Sequence, residues 1–124
     1  QLPYAAPVID NKSTPYSRDL ALFLKEKGAK MYGAFWCSHC EDQKEIFGAG
    51  AAIPYVECFP DGWQRGAPLD AACANVDITG FPTWILPDGT RLEGDKSLKE
   101  LAEAVGFRAP PAEDAASQLD DLLG

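Results

Sequence analysis

The apolar run Lys30-Met-Tyr-Gly-Ala-Phe35 passes without a break into Trp36-Cys-Ser-His-Cys40, and a polar stretch of helical character follows to Phe47. A short, bounded apolar run reads as a buried strand. The two cysteines therefore stand at a strand-to-helix junction, with Cys37 at the helix entrance and Cys40 one turn further in. Few chains have a use for two thiols there. The first turn of a helix presents unpaired backbone N–H groups and the positive end of the helix dipole. Both favour the thiolate form of Cys37, and thiolate is the attacking species in disulfide exchange. Cys40 is placed to attack a mixed disulfide formed on Cys37. His39 is the single histidine of the chain. Lying between the cysteines, it is expected close to the Cys37 sulfur, where a hydrogen bond or positive charge stabilises the reduced pair and makes the disulfide a stronger oxidant. Trp36 shields one side and offers a surface for substrate.

The flanking sequence predicts an α/β chain. Ser17 is placed as the N-cap of a first helix carrying Leu20, Phe23 and Leu24 and stopped at Gly28. Tyr55-Val-Glu-Cys58 reads as a second strand, and residues 69–75 as a short helix. Thr83-Trp-Ile-Leu86, Pro87-Asp-Gly89 and Thr90-Arg-Leu-Glu93 form a hairpin pattern. Ser97 and Glu100 make a capping box for a last helix with Leu98, Leu101, Ala102 and Val105 on its apolar stripe and Gly106 at its end. The expected architecture is a mixed central sheet flanked by helices on both faces, with an additional N-terminal helix. Residues 1–15, rich in proline and polar residues, read as a linker or arm, 16–107 as the folded domain, and 108–124 as an acidic tail able to form a short amphipathic helix. The chain starts at Gln1 rather than Met, which suggests processing or excision from something longer.

Charge narrows the partners. With 19 acidic residues against 11 basic ones, the net charge is −8. Nucleic acid and anionic lipid both need a basic face, so neither is an expected partner. No apolar stretch approaches the roughly 20 residues of a membrane span.

Trp36-Cys-Ser-His-Cys40 and Gly80-Phe-Pro-Thr-Trp84 resemble the two signatures of thioredoxin-fold oxidoreductases. That resemblance implies a thioredoxin-like fold, a cis peptide between Phe81 and Pro82, and a groove in which Trp36 and the Phe81 backbone meet the substrate. The segments Met31 to Cys40, Asp42-Gln-Lys44, Tyr55-Val-Glu-Cys-Phe-Pro-Asp-Gly62 and Leu98 to Phe107 are further similar to the thioredoxin-like domain fused to vitamin K epoxide reductase (VKOR) homologues, most of all those of plants and algae. The implied activity is that of a protein thiol-disulfide oxidoreductase working as an oxidase. Cys37 and Cys40 oxidise reduced, folding proteins, and a VKOR-like transmembrane domain, normally in the same chain, passes the electrons to a quinone. This chain then looks like the lumenal domain of such a membrane protein, a monomer without a cofactor of its own. Residues 1–15 would be its tether. The implied setting is the thylakoid lumen of a chloroplast, with the bacterial periplasm as the alternative. Isomerase or reductase chemistry would use the same residues. One departure stands out: ordinary thioredoxins carry a buried acid six residues before the first cysteine, where this chain has Met31. Proton handling is then left to water, Glu41 or Asp42.

Four cysteines allow three pairings, and Cys37 with Cys40 is the local one, leaving Cys58 with Cys73. The latter bond is either a staple, stabilising by roughly 3 kcal/mol in the chain-entropy model, or a second redox pair. Both uses need an oxidising compartment. A zinc site fits poorly, because the second pair has 14 intervening residues rather than the two to four of a zinc half-site; no metal is expected. Trp84 reads equally as groove wall or core. Trp63 either meets the membrane partner or packs under its loop. Lys44 and Glu45 read as solvated helix surface.

Overall fold

The structure, a computed structural model, describes residues 1–108; the acidic tail lies outside the described residues. The element order is α1 (Pro15–Lys27), β1 (Lys30–Gly33), α2 (Ser38–Phe47), β2 (Tyr55–Glu57), α3 (Ala71–Ala74), β3 (Thr83–Ile85), β4 (Arg91–Glu93) and α4 (Leu98–Val105). The strands form one sheet in the order β2-β1-β3-β4. β1 runs parallel to β2 and antiparallel to β3, and β3 pairs antiparallel with β4. This mixed α/β arrangement is a thioredoxin-like fold.

Strand alternation divides the core. Met31 and Trp84 point to one face, where they meet Leu20, Ala21 and Leu24 of α1, Cys40 and Phe47 of α2, and Leu101 and Ala102 of α4. Tyr32 points to the other face, among Ala34, Cys58, Phe59, Cys73 and Ile78. Trp84 is thus core and not groove wall. Its indole N–H donates to Gln43 Oε1 at 3.0 Å. The same oxygen accepts from Lys96 N at 2.8 Å, and Gln43 Nε2 donates to the Lys96 carbonyl at 2.9 Å. A polar residue on the apolar side of α2 thereby locks that helix to β3 and to the entrance of α4.

The first helix starts earlier than expected. Its N-cap is Thr14, not Ser17, and Pro15 takes the first helical position, where a missing N–H costs nothing and the fixed φ already suits a helix. Ser17 is instead the third residue of a reciprocal capping box with Thr14. Its hydroxyl also donates to the Phe47 carbonyl at 2.8 Å, joining the start of α1 to the end of α2. The arm before it follows the domain surface. Leu2 and Trp63 exchange backbone hydrogen bonds of 2.7 Å, and the Asp10 and Asn11 N–H groups donate to the Glu45 carboxylate. Gly48 is required by this path: its φ is +88°, and a Cβ there would collide with the Lys12–Ser13 backbone. Glu45 is therefore an anchor for the arm, not merely solvated surface. The last helix matches its sequence signature, with the Ser97–Glu100 capping box and a left-handed Gly106 at the end.

Gln43→Leu should lower the unfolding free energy by about 1–3 kcal/mol, because it strands the buried Trp84 indole N–H and breaks the part-buried bonds to Lys96. Urea denaturation checks this; a loss below about 0.5 kcal/mol, the scale of an ordinary surface substitution, would contradict the locking role.

Candidate functional site

At the end of β1 the chain turns through Ala34 to Trp36 and enters α2 with Cys37 as its N-cap residue. The Cys37 backbone N–H donates to the Ala34 carbonyl at 3.1 Å, and its own carbonyl accepts from Glu41 N at 3.1 Å. No side chain caps this helix end, which leaves the first-turn N–H groups of α2 without a side-chain acceptor. Cys37 is half-buried, whereas Cys40 is only 1% exposed; both are free thiols. The two residues of the pair are therefore unequal. One faces the surface, and the other lies in the core against Gly33 and Tyr55.

The second signature comes from the opposite side of the sheet's end. The Phe81–Pro82 peptide is cis. Pro82 is fully buried, and the Cys37 thiol lies 3.8 Å from the Phe81 carbonyl oxygen. This loop is held by Thr83 Oγ1, which donates to the Gly80 carbonyl at 2.8 Å, and by Gly94 N, which donates to the Pro82 carbonyl at 2.8 Å. Trp36 stacks at an angle on Phe59 and Trp63 and meets Phe81 edge-on, with ring centroids 5.2–5.9 Å apart. Trp36 stays 38% exposed, so an aromatic shelf borders Cys37. Trp63 belongs to this shelf and is half-buried.

His39 is placed differently from expectation. It is exposed, and its Nδ1 faces Asp95 Oδ1 at 3.6 Å rather than the Cys37 sulfur. The cause is its position in the first turn of α2, which turns the imidazole outward toward the chain after β4. His39, Asp42 and Asp95 come within metal-ligating compass of one another, all three exposed. Cys58 and Cys73 are bonded to each other. That removes two of the four thiolates that an all-cysteine zinc site would use. The bond ties the end of β2 to α3, and both residues are fully buried.

Three further side chains gather at Cys40. Tyr55 and Glu57 share a face of β2, two residues apart, and the Tyr55 hydroxyl donates to Glu57 Oε1 at 2.8 Å. Glu57 Oε2 accepts from the backbone N–H groups of Phe35 and Phe59 at 3.1 and 3.0 Å. Lys44, one helical turn beyond Cys40, places its ammonium 3.6 Å from the centre of the Tyr55 ring. Lys44 is thus half-buried over an aromatic face, not solvated surface. Glu41 and Asp42, the acids expected to serve Cys40, are exposed. Burial pushes the Cys40 thiol up to about 12, reinforced by neighbouring Cys37 and opposed by a backbone hydrogen bond at Ala34 and by Lys44. Burial also raises Tyr55, with its Glu57 hydrogen bond adding to the shift, and it lowers Lys44 against the pull of Glu57, Cys40 and Glu41. The sequence held a trace of this group in Tyr55 and Glu57, whose spacing puts them on one strand face. It held no sign that this face meets α2.

Fold and site together define a thioredoxin-like domain with an asymmetric Cys-x-x-Cys pair opposite a cis proline. No protein-family model matches the chain. Over 109 residues, 86% of its length, it is 54% identical to the Thiol-disulfide oxidoreductase LTO1 of Arabidopsis thaliana. The chain belongs to that family of thiol-disulfide oxidoreductases, as a domain; the matched part spans 29% of the plant protein.

In the reduced, folded domain, iodoacetamide should alkylate Cys37 and spare Cys40, since one sulfur is accessible and the other is buried with its thiol held neutral. Peptide mass spectrometry reads the outcome. Equal labelling would contradict the asymmetry.

Proposed function

We propose that this domain is a protein thiol-disulfide oxidoreductase operating as an oxidase through Cys37 and Cys40. The observation that carries the proposal is the asymmetry of the pair: Cys37 half-exposed at a helix N-terminus beside the cis Pro82 loop, Cys40 buried behind it. In the oxidase direction a substrate thiolate attacks the Cys37 sulfur of the Cys37–Cys40 disulfide. Cys40 leaves as a thiolate and takes up a proton. A second substrate thiolate then attacks the substrate sulfur of the mixed disulfide and releases Cys37 as a thiolate. Two electrons have moved from the substrate to the pair, and the substrate carries a new disulfide. The exposed helix terminus supports this direction, because it stabilises the thiolate released in the final step. His39, in the same first turn, adds positive charge when protonated, with Asp95 as its counter-charge.

Trp36 and Phe81 form the apolar border of the substrate groove. The Phe81 backbone is the pairing edge for an extended substrate segment, and Pro82 shapes that edge. Cys58–Cys73 is proposed as a staple, because neither sulfur is accessible to an attacking thiolate. A disulfide of this kind persists in an oxidising compartment. We place the domain on the lumenal side of the thylakoid membrane, with the bacterial periplasm as the other setting. Its reduced pair would hand electrons to a VKOR-like, quinone-reducing membrane domain. Reduced proteins are its substrates.

Cys37→Ala should abolish oxidation of a reduced, unfolded test protein. Cys40→Ala, mixed instead with a disulfide-bonded test protein, should accumulate a mixed disulfide, visible on non-reducing gels, because Cys37 attacks the substrate disulfide and no second thiol releases it. Full activity in Cys37→Ala would overturn the assignment.

A further inference from the structure

Cys40 poses a problem of charge. Each turnover converts it between thiol and thiolate, yet its sulfur is enclosed in the core. A proton must reach it through neighbouring groups. Met31, on the strand below, is an apolar core residue and offers no route.

Gly33 opens one. A Cβ at this position would lie 2.9 Å from Cys40 Sγ, 2.8 Å from Tyr55 Cε1 and 3.2 Å from the Tyr55 hydroxyl. The missing side chain thus leaves a slot lined on one side by the Cys40 sulfur and on the other by the phenol head. Behind the phenol stands the Glu57 carboxylate, hydrogen-bonded to it at 2.8 Å and fixed by two backbone N–H groups. The Lys44 ammonium over the phenol ring supplies the counter-charge. We propose that Glu57, acting through the Tyr55 hydroxyl, gives and takes the proton of Cys40.

The proton balance is simple. When Cys40 leaves the disulfide, the Tyr55 hydroxyl passes its proton to sulfur as it receives one that half-buried Glu57 has taken up from solvent. When Cys40 attacks a mixed disulfide on Cys37, its proton moves to the Tyr55 oxygen as the phenol proton moves to Glu57. The Cys40 sulfur bonds to Cys37, and the bound thiol departs as a thiolate. Tyr55 is neutral before and after, in keeping with burial that holds its proton on. Glu57 is a positioning residue in the sense that it acts through Tyr55. The groups bearing on this relay are Cys37 and Lys44 at Cys40, Tyr4 and Cys40 at Tyr55, and Lys44 at Glu57, with Glu41 acting on Lys44.

The proposal rests on Cys37 and Cys40 being the exchanging pair, and one experiment separates the two claims. The reduced domain is mixed with Ellman's reagent under stopped flow. Cys37 attacks first and releases one nitrothiobenzoate; Cys40 then displaces the second. With a local base, the second phase should vary little between about pH 7 and 9 in the unaltered protein. Glu57→Gln keeps an oxygen for both backbone donors but removes the base. It should slow the second phase about 100-fold at pH 7, the lower end of what a positioned general base supplies, and make it climb about tenfold per pH unit, as direct titration of a buried thiol requires. Tyr55→Phe keeps the ring beneath Lys44 and should give the same profile. The first phase is the internal reference. A second phase that already climbs tenfold per pH unit in the unaltered protein would overturn the relay, even if neither variant folds. Equal slowing of both phases in Glu57→Gln would also overturn it, as a purely structural effect. Absence of the first phase in the unaltered protein would strike at the exchanging pair itself.

Discussion

Cys40 is buried against Gly33 where β1 gives way to α2, while Cys37 caps the same helix half in solvent. Less than one helical turn thus separates a thiol in the core from a thiol at the surface. The rest of the domain serves this arrangement. β1 lies inside the sheet between β2 and β3, so the point from which α2 departs is fixed on both sides. β2 carries Tyr55 and Glu57 on the face that meets Cys40. β3 begins at the cis Pro82 loop, which brings the Phe81 carbonyl to the Cys37 sulfur.

The helix that presents the cysteines is held at both ends and in the middle. Gln43 joins it to Trp84 and Lys96. Ser17 holds its last carbonyl, and the arm grips Glu45 and the turn after Gly48. A rigid α2 keeps its N-terminus at Cys37 and the sulfur of Cys40 in its slot. The Cys58–Cys73 bond serves the opposite face, where it steadies the loop that carries Phe59 and Trp63, both members of the aromatic shelf. An open shelf beside an accessible sulfur is the surface proposed to receive exposed, unfolded substrate segments.

Much of this was legible in the sequence. Cys37 and Cys40 were readable because a strand running into a helix places both thiols, whereas the cis bond at Pro82 was expected only from the resemblance of Gly80-Phe-Pro-Thr-Trp84 to a family signature. The Ser97–Glu100 box, like the two cysteines, was legible from its local context. What escaped depends on contacts between distant segments. Thr14 rather than Ser17 caps α1 because Ser17 is drawn to the Phe47 carbonyl, 30 residues away. His39 turns to Asp95, which local sequence does not bring near. Lys44 and Glu45 look like helix surface until the Tyr55 ring and the N-terminal arm are laid over them. Met31 showed that an acid was missing from one strand; only the parallel register of β1 and β2 shows Glu57 occupying the neighbouring one.

The central claim is that the Cys37–Cys40 pair is poised to oxidise. Equilibrating it with glutathione redox buffers, while mass spectrometry confirms that Cys58–Cys73 stays intact, measures its reduction potential directly. An oxidase site should give a value between about −120 and −200 mV, the range of strong disulfide donors. A value near about −270 mV, where thioredoxin-type reductants lie, would contradict the oxidase assignment.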